Sequence, residues 1–278
     1  MSSRAASVLY EVPGPRTRAR YRLFGALSLV AIAGLLWYVY DQLASNGQFD
    51  AAMWSPFEYT AVQQRILDGV RDTLTAFGLA AGFSLLLGTL LATGRLSDHK
   101  PLRWAAGSVI EFFRAMPLLI MIFALYQAVF SDQPLYALVL GLTLYNGAVQ
   151  AEIIRSGIEA VPRGQREAAY ALGLRKSQVM MTILVPQAVR SMLPAMIGQL
   201  VVTLKDTSLG FLITYTELLY IGKLIANTTS TPHGYPYIPV VLVIAPIYIL
   251  LCLALTALAR WIESRGRRGS NRRTPAAA

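Results

Sequence analysis

The chain has 278 residues, of which 55% are apolar and only 14% are charged, and its mean hydropathy is +0.47. An ordinary soluble domain of this length is less apolar, so the composition predicts an all-α membrane protein. The formal net charge of +10 also raises the alternative of a nucleic-acid-binding protein, and the positions of the basic residues have to decide between the two. The single cysteine, Cys252, excludes an internal disulfide bond.

The first apolar stretch, residues 23–40, follows four arginines between positions 16 and 22. Signal peptides and membrane anchors share this arrangement. The 18 apolar residues exceed the usual core of a signal peptide, and no clear small-x-small cleavage site follows, so we interpret the stretch as a retained transmembrane helix. Further apolar segments are long enough to cross about 30 Å of hydrocarbon as helices. They are residues 68–94, 104–130, 135–156, 191–215 and 238–260, which brings the prediction to about six spans.

The basic residues are concentrated on one side of such a bundle. Of the 25 Lys and Arg residues, 20 lie in segments that share that side: residues 1–22, 95–103, 155–190 and 260–278. The segments that face them contain only Arg65, Arg71 and Lys223. The positive-inside rule places the first group in the cytoplasm, so residues 1–22 and 263–278 are predicted to be basic cytoplasmic ends. This topology explains the net charge, and we expect no nucleic-acid partner.

Residues 41–66 connect the first two spans on the external side. They carry large apolar side chains among polar residues: Phe49, Met53, Trp54, Phe57 and Tyr59. Either these side chains anchor an amphipathic segment at the membrane surface or they form a docking surface for a partner. We favour the anchor, because aromatic residues are common at membrane interfaces.

Two basic residues lie within predicted spans. A charge at this depth costs at least about 2.5 kcal/mol if it is unpaired, so both should face the protein interior or an aqueous cavity. One interpretation is neutralisation by neighbouring side chains, and the other, which we favour, is a passage for a polar substrate. The candidate lining residues are Glu111, Arg114, Lys205, Asp206, Thr207 and Ser208.

Glu152 and Arg155 are spaced three residues apart near the predicted cytoplasmic end of a span. That spacing places them on one helix face, where they can form an ion pair. We favour an interfacial ion pair, and a gate in a transport cycle is the alternative.

A polar loop of about residues 157–190 separates two strongly apolar segments. Its first predicted helix has a small apolar face, formed by Ala168, Ala171 and Leu172, that is too short to be stable alone in water. Residue chemistry by itself leaves two options open: the helix docks into a partner, or the loop is a self-contained hairpin on the membrane face.

Three residues of this loop predict where its two helices begin and end. Gly173 is expected to adopt a left-handed conformation that ends the first helix, and Ser177 is expected to cap the second. Pro186 is expected to end or bend the second helix before the next span.

The loop contains Glu167-Ala168-Ala169, then Gly173, Ile183 and Pro186. This pattern resembles the E-A-A-x3-G-x9-I-x-L-P motif of permeases in ATP-binding-cassette importers, with Val185 in place of the usual Leu. Three further segments resemble the polar-amino-acid branch of that family: Arg114-Ala115-Met116-Pro117-Leu118-Leu119, residues 151–158 (AEIIRSGI) and Lys205-Asp206-Thr207-Ser208-Leu209. The likeness covers about residues 66–262. The family has a core of five spans, so the helix at 23–40 and residues 41–66 depart from it.

The resemblance implies a protein of the bacterial cytoplasmic membrane and a set of partners. A second permease, identical or paralogous, pairs with the chain, an ATPase dimer docks on the polar loop, and an extracytoplasmic binding protein delivers an amino acid. It also implies that the loop, called the coupling loop from here on, transmits ATPase motion. The residues assigned to that contact are Arg163, Glu167, Ala168, Ala169, Ala171, Leu172 and Gly173.

The chain contains no Walker-type phosphate-binding motif, so ATP hydrolysis has to come from the partner and no cofactor is expected. Arg114 and Lys205 would attract a side-chain carboxylate, which makes glutamate or aspartate the first expected substrate.

Two other classes compete with the importer. A gated channel or an ion-coupled secondary carrier would work without an ATPase, but a carrier normally needs more spans or inverted repeats. A membrane enzyme is disfavoured, because His99 and His233 lack metal-ligand spacing and Ser156 and Ser208 have no nearby histidine base in the sequence. We predict neither a catalytic residue nor a metal site.

Overall fold

The computed structural model describes residues 14–232 and 234–271, with side chains described up to Trp261. The predictions for residues 1–13, for His233 and for the last residues of the tail, 272–278, lie outside the described residues. The described part contains ten α-helices and no β-strand. Five helices are long and apolar enough to cross a membrane, and a bent pair of helices makes a sixth candidate span. The predicted all-α membrane fold with about six spans is confirmed.

The helices follow the apolar segments of the sequence, with bounds that differ by several residues from the predicted ones. In chain order they are α1 (Pro15–Ser45), α2 (Thr60–Arg95), α3 (Lys100–Ala115), α4 (Leu118–Ala128), α5 (Pro134–Glu159), α6 (Arg163–Ala171), α7 (Lys176–Val179), α8 (Val185–Asp206), α9 (Leu218–Thr228) and α10 (Tyr237–Asn271). Short 3₁₀ segments, Ala51–Glu58 and Thr207–Ile213, precede α2 and follow α8.

The predicted span over residues 104–130 consists of two helices in the structure. The chain bends by 97° between α3 and α4. Pro117 explains the break, because proline has no N–H to donate and disfavours helical backbone in the residue before it. Met116 is accordingly extended, with φ −78° and ψ 129°.

Helix α5 lies at the centre of the bundle, and small residues bring its neighbours close. The buried face of α2 repeats every fourth position with Ala76, Ala80, Ser84, Gly88 and Ala92. A Cβ atom on Gly88 would lie 2.7 Å from the Cβ of Gln150 in α5, so only glycine fits there. Close packing of small residues is the main source of helix association in a bilayer, where burial of apolar surface contributes little.

A second core joins α9 and α10 to the start of α2. Its buried apolar residues are Ile66, Leu218, Ile221, Ile225, Ala226, Val240 and Ile244. Helix α9 was absent from the predicted elements, because eleven residues are too few for a span.

The segment between α1 and α2 folds back onto the α9–α10 connection. Met53 is fully buried, and its sulfur accepts a hydrogen bond of 3.1 Å from the Thr231 hydroxyl. The Gln48 side chain bonds the carbonyl of Tyr235 and the N–H of Ile238, each at 3.2 Å. Trp54, in contrast, is 40% exposed. The segment therefore packs on the protein through Met53 and Phe57 and leaves Phe49, Trp54 and Tyr59 exposed. Its role as a membrane anchor stays a prediction.

Helix α1 is the exception to this packing, since none of its residues is buried. Its side-chain contact with the following segment is a stacked ring pair, Tyr40 on Phe49, with centroids 5.3 Å apart. Its apolar side chains face outward all round, which suits a helix surrounded by lipid.

Candidate functional site

The coupling loop folds into a helical hairpin. Helix α6 ends at Ala171, and Gly173 follows with φ +78°, the predicted left-handed conformation. The Gly173 N–H bonds the carbonyl of Tyr170 at 2.9 Å, and the Leu174 N–H bonds that of Ala169 at 3.2 Å. Side chains other than glycine rarely adopt this backbone conformation, so the turn depends on Gly173.

The second half of the hairpin differs from the prediction at its cap. Ser177 does not cap α7, because Arg175 occupies the capping position and the Gln178 side chain accepts the Arg175 N–H at 2.9 Å. Of the two outcomes predicted for Pro186, an end or a bend of the helix, the first does not occur. A π-helical turn, Met180–Leu184, connects α7 to α8 and accommodates the proline by widening the turn before it. The chain is therefore continuously helical from α7 through α8.

The hairpin has one closed face and one open face. Ala169 is 2% exposed and packs against Val179 and Leu184 within the chain. The other side of α6 exposes Ala168, Ala171 and Leu172, and Leu172 is 81% exposed. The charged candidates Arg163 and Glu167 are exposed as well. The self-contained hairpin thus accounts for one face of α6 and leaves the predicted apolar face uncovered.

Lys176 ties the hairpin to the connection between α2 and α3. Its Nζ lies 2.5 Å from Oδ1 of Asp98 and 3.4 Å from the carbonyl of Leu96. The hydrogen bond from Lys176 lowers the pKa of the Asp98 carboxyl from its ordinary value.

Glu152 and Arg155 form the predicted ion pair. The Arg155 Nε lies 3.1 and 3.0 Å from the two carboxylate oxygens of Glu152, and Glu159 holds the same guanidinium from the next turn. Arg155 and Glu152 are about one quarter exposed. A role as a gate stays a prediction.

An open cavity of about 810 Å³ lies between the end of α8, α9 and α10. Its lining is mostly apolar, and the apolar rim residues Val241, Ile249 and Leu253 are more than half exposed in the single chain. Lys205 and Ser208 contribute to the lining. We call this space the cationic cavity, because Lys205 and Lys223 are the charged members of its described lining and no carboxylate is among them.

The cavity gathers two of the six predicted passage residues. Thr207 is fully buried and its hydroxyl donates to the carbonyl of Leu204 at 2.7 Å, while Asp206 lies outside the lining. Glu111 and Arg114 are on α3, away from the lining, with the Arg114 Nη1 at 3.8 Å from Glu111. These four residues are not part of the cavity that contains Lys205.

Two functional candidates were missing from the sequence predictions. Lys223 was assigned to an external connection, yet it projects from α9 with its Nζ 5.2 Å from the centroid of the Phe211 ring, and both residues line the cavity. A lysine within the apolar run of residues 218–226 was the available signal, of the same kind that selected Lys205.

The second missed residue is Glu217, which is fully buried at the start of α9. Its carboxylate accepts the N–H groups of Leu219 at 2.7 Å and Tyr220 at 2.8 Å. The hydroxyl of Tyr248 donates to it at 2.7 Å, and Tyr248 lines the cavity. Glu217 thus lies outside the lining and holds the lining residue Tyr248 in place. Sequence alone could not show this, because its hydrogen-bond partner is 31 residues away.

Comparison with known proteins identifies the family of this bundle and hairpin. The family model described as binding-protein-dependent transport system inner membrane component matches residues 84–268. The chain belongs to this family. It is a multi-pass protein of the bacterial cytoplasmic membrane and a transport subunit.

The similar proteins narrow the substrate class to amino acids. The glutamate transport system permease protein GluD of Corynebacterium glutamicum is 43% identical over 239 residues, covering 83% of this chain and 86% of that protein. The glutamate/aspartate import permease protein GltK of Escherichia coli O6:H1 is 29% identical over 212 residues, covering 72% and 92%. A crystal structure of an amino acid ABC transporter with histidines has a TM-score of 0.68 and 31% identity, covering 76% and 97%. The chain is therefore the permease subunit of an ABC amino-acid importer.

Proposed function

We propose that this permease imports acidic amino acids, with glutamate and aspartate as the first substrates. The observation that carries the proposal is Lys205, which lines a cavity of about 810 Å³ that has no acidic residue in its described lining. Cavities of this size hold small ligands, and a few polar groups in an apolar lining determine which ligand binds. The similarity to permeases named for glutamate and for glutamate/aspartate supports the same substrate class.

The open side of the cavity faces a second permease subunit, identical or paralogous. Lysine exposed to lipid at this face would cost about 2.5–3.5 kcal/mol near the bilayer centre. A second subunit removes that cost, because the two cavities then enclose water and substrate between them. The exposed apolar residues of α10, such as Ile249 and Leu253, form the subunit contact around that space.

The coupling loop receives force from an ATPase dimer in the cytoplasm. With six spans, both ends of the chain then lie on the cytoplasmic side as well. An external binding protein delivers the substrate from the opposite side. The support is the uncovered apolar face of α6, which ends at Leu172 and has the exposed charges of Arg163 and Glu167 on the same helix. Water disfavours such a face, and a groove on a partner would cover it.

One continuous helical path would carry motion from the ATPase to the substrate. The helix that begins at Lys176 continues through the π turn to Asp206, so it joins the hairpin to the cavity. At 1.5 Å per residue, Lys176 and Lys205 are about 44 Å apart along it. Movement of α6 by the ATPase would shift α8 and alternate the access of the cavity between the two sides of the membrane. The Glu152–Arg155 pair is the candidate gate of this cycle, and Glu111, Arg114, Asp206 and Thr207 are candidates for other parts of the passage.

The test is ATP hydrolysis by the complete assembly in proteoliposomes, measured across a panel of amino acids with the cognate binding protein present. We expect glutamate and aspartate to stimulate hydrolysis, and arginine to leave it at the basal rate. Stimulation by arginine or glutamine but not by glutamate would refute the substrate proposal. Uptake that an ion gradient drives without ATP would refute the importer mechanism.

A further inference from the structure

Lys223 supplies a second positive charge to the cationic cavity, from a different element than Lys205. Lys205 is in the last turn of α8, whereas Lys223 is in the middle of α9. Both side chains line the same space. Neither takes part in any of the ion pairs found among the described residues.

The Phe211 ring orients Lys223 without neutralising it. The ammonium lies 5.2 Å from the ring centroid, which is within the range of a cation–π interaction. Such an interaction leaves the ammonium charged and able to donate hydrogen bonds. The other polar groups near it in the lining, such as Asn227, are uncharged. A negatively charged ligand would therefore neutralise charges that the described lining leaves unpaired.

The charges of the cavity distinguish between amino acids. Glutamate and aspartate carry two carboxylates and one ammonium, so each lysine can bind one carboxylate. Glutamine and asparagine have the same sizes but only one carboxylate, and they would leave one lysine unpaired. A cationic amino acid such as arginine would be repelled, because like charges in a confined apolar space disfavour each other. The hydroxyl of Ser208, which lines the same space, can accept a hydrogen bond from the substrate ammonium.

We propose that Lys223 is the specificity-determining residue of this permease, binding the second carboxylate of an acidic amino acid in the cavity that Lys205 shares. The inference rests on the proposed function. It adds the residue that separates glutamate from glutamine within the membrane, independently of the selectivity of the external binding protein.

The experiment measures equilibrium binding of radiolabelled glutamate and glutamine to the purified permease–ATPase complex without the binding protein. The variants are Lys223→Met, which keeps the length of the side chain and removes the charge, and Lys223→Arg, which keeps the charge. Lys100→Met is the matched control, because Lys100 is exposed at the start of α3 and outside the cavity. Size-exclusion profiles establish that each complex is assembled.

We expect Lys223→Met to weaken glutamate binding by about tenfold or more, the usual loss for a charged hydrogen bond, while glutamine binding changes far less. Lys223→Arg is expected to retain the preference for glutamate, and Lys100→Met to match the wild type for both ligands. Should Lys223→Met fail to assemble, the Lys223→Arg complex still tests the idea, because loss of the glutamate preference with the charge present would contradict it.

Two results would overturn the inference while leaving the proposed function intact. They are unchanged glutamate binding in Lys223→Met, and an equal loss of glutamate and glutamine binding in that variant. If the wild-type complex binds arginine and does not bind glutamate, the proposed function fails and the inference fails with it.

Discussion

The coupling loop and the cationic cavity are both incomplete in the single chain, but in opposite ways. The loop is a polar region in which α6 exposes apolar side chains, with Leu172 81% exposed. The cavity is an apolar region that exposes charges, with Lys205 and Lys223 in a lining that contains no carboxylate among its described members. Each region differs from its surroundings, and the proposed partners would remove the difference: a protein groove would cover the apolar face of the loop, and an anionic solute would neutralise the charges of the cavity.

The two regions also differ in how they are held. The cavity wall is fixed within the chain by the buried carboxylate of Glu217 and its bond to Tyr248. The hairpin is held by a small apolar cluster around Ala169 and by an exposed ion pair, Lys176 to Asp98. A wall fixed by buried hydrogen bonds suits substrate selection, and a hairpin held by few contacts suits a surface that moves with a partner.

The largest effect is expected from Leu172→Asp. The side chain contacts little within the chain, so the permease should fold and insert normally, whereas a carboxylate in the ATPase groove would be left without water. We expect nearly complete loss of ATPase co-purification and of substrate-stimulated hydrolysis. Leu172→Met is the control and should behave as the wild type. If substrate stimulates ATP hydrolysis in Leu172→Asp as strongly as in the wild type, the exposed face of the coupling loop does not dock on the ATPase.

Lys205→Met should impair uptake strongly and assembly weakly. Loss of a charged hydrogen bond to a substrate carboxylate lowers binding by about 10- to 100-fold. The measurement is glutamate uptake by proteoliposomes at several substrate concentrations, together with recovery of the intact complex. Lys205→Arg retains the charge and should recover part of the uptake. If Lys205→Met transports glutamate normally, Lys205 does not contact the substrate.

Glu217→Ala tests whether the cavity wall is fixed from within. The change removes a helix cap, worth about 1 kcal/mol, and a hydrogen bond from Tyr248, worth about 0.5–1.5 kcal/mol. We expect a lower melting temperature for the purified permease and weaker glutamate binding. Glu217→Gln keeps an acceptor oxygen and should be milder in both measurements. A melting temperature that is the same for Glu217→Ala and the wild type would show that this network contributes little.

The smallest effect is expected from Asp98→Asn. Lys176 lowers the pKa of Asp98 in the folded protein, so the ion pair stabilises the hairpin at neutral pH. That contribution is present above the ordinary carboxyl pKa of 3.8 and is lost as the pH falls through the lower value of the folded state. Because the pair is exposed, the effect is small and weakens with salt. Protease sensitivity of the hairpin, compared between neutral and acidic pH, should change less in Asp98→Asn than in the wild type, and an equal change would contradict the assignment.

Some features could be predicted because they depend on local chemistry. The spans follow from the length of apolar runs, and the left-handed Gly173 follows from the way helices end. The apolar face of Ala168, Ala171 and Leu172 follows from helical spacing. The break before α4 had a local signal in Pro117, but one proline is compatible both with a kink and with two separate helices.

The cavity could be predicted only in part, because its lining comes from three parts of the chain. Lys205 and Ser208 were identified by their position in an apolar run, but the same reasoning added Glu111 and Arg114, which lie on α3. A charge within a span indicates an interior or aqueous environment and does not indicate which one.

Amino-acid order alone determined that this protein is a helical bundle in a membrane, that a polar loop interrupts it, and that the loop carries a motif shared by importer permeases. These properties depend on runs and spacings of at most a few tens of residues. Only the tertiary structure decided that Lys223 and Lys205 share one cavity, that Glu217 fixes its wall, and that the hairpin continues into the helix that carries Lys205. The physical reason is that the cavity forms only where α8, α9 and α10 pack together, and that packing depends on small residues such as Gly222, where a Cβ atom would lie 2.9 Å from Cγ1 of Ile244.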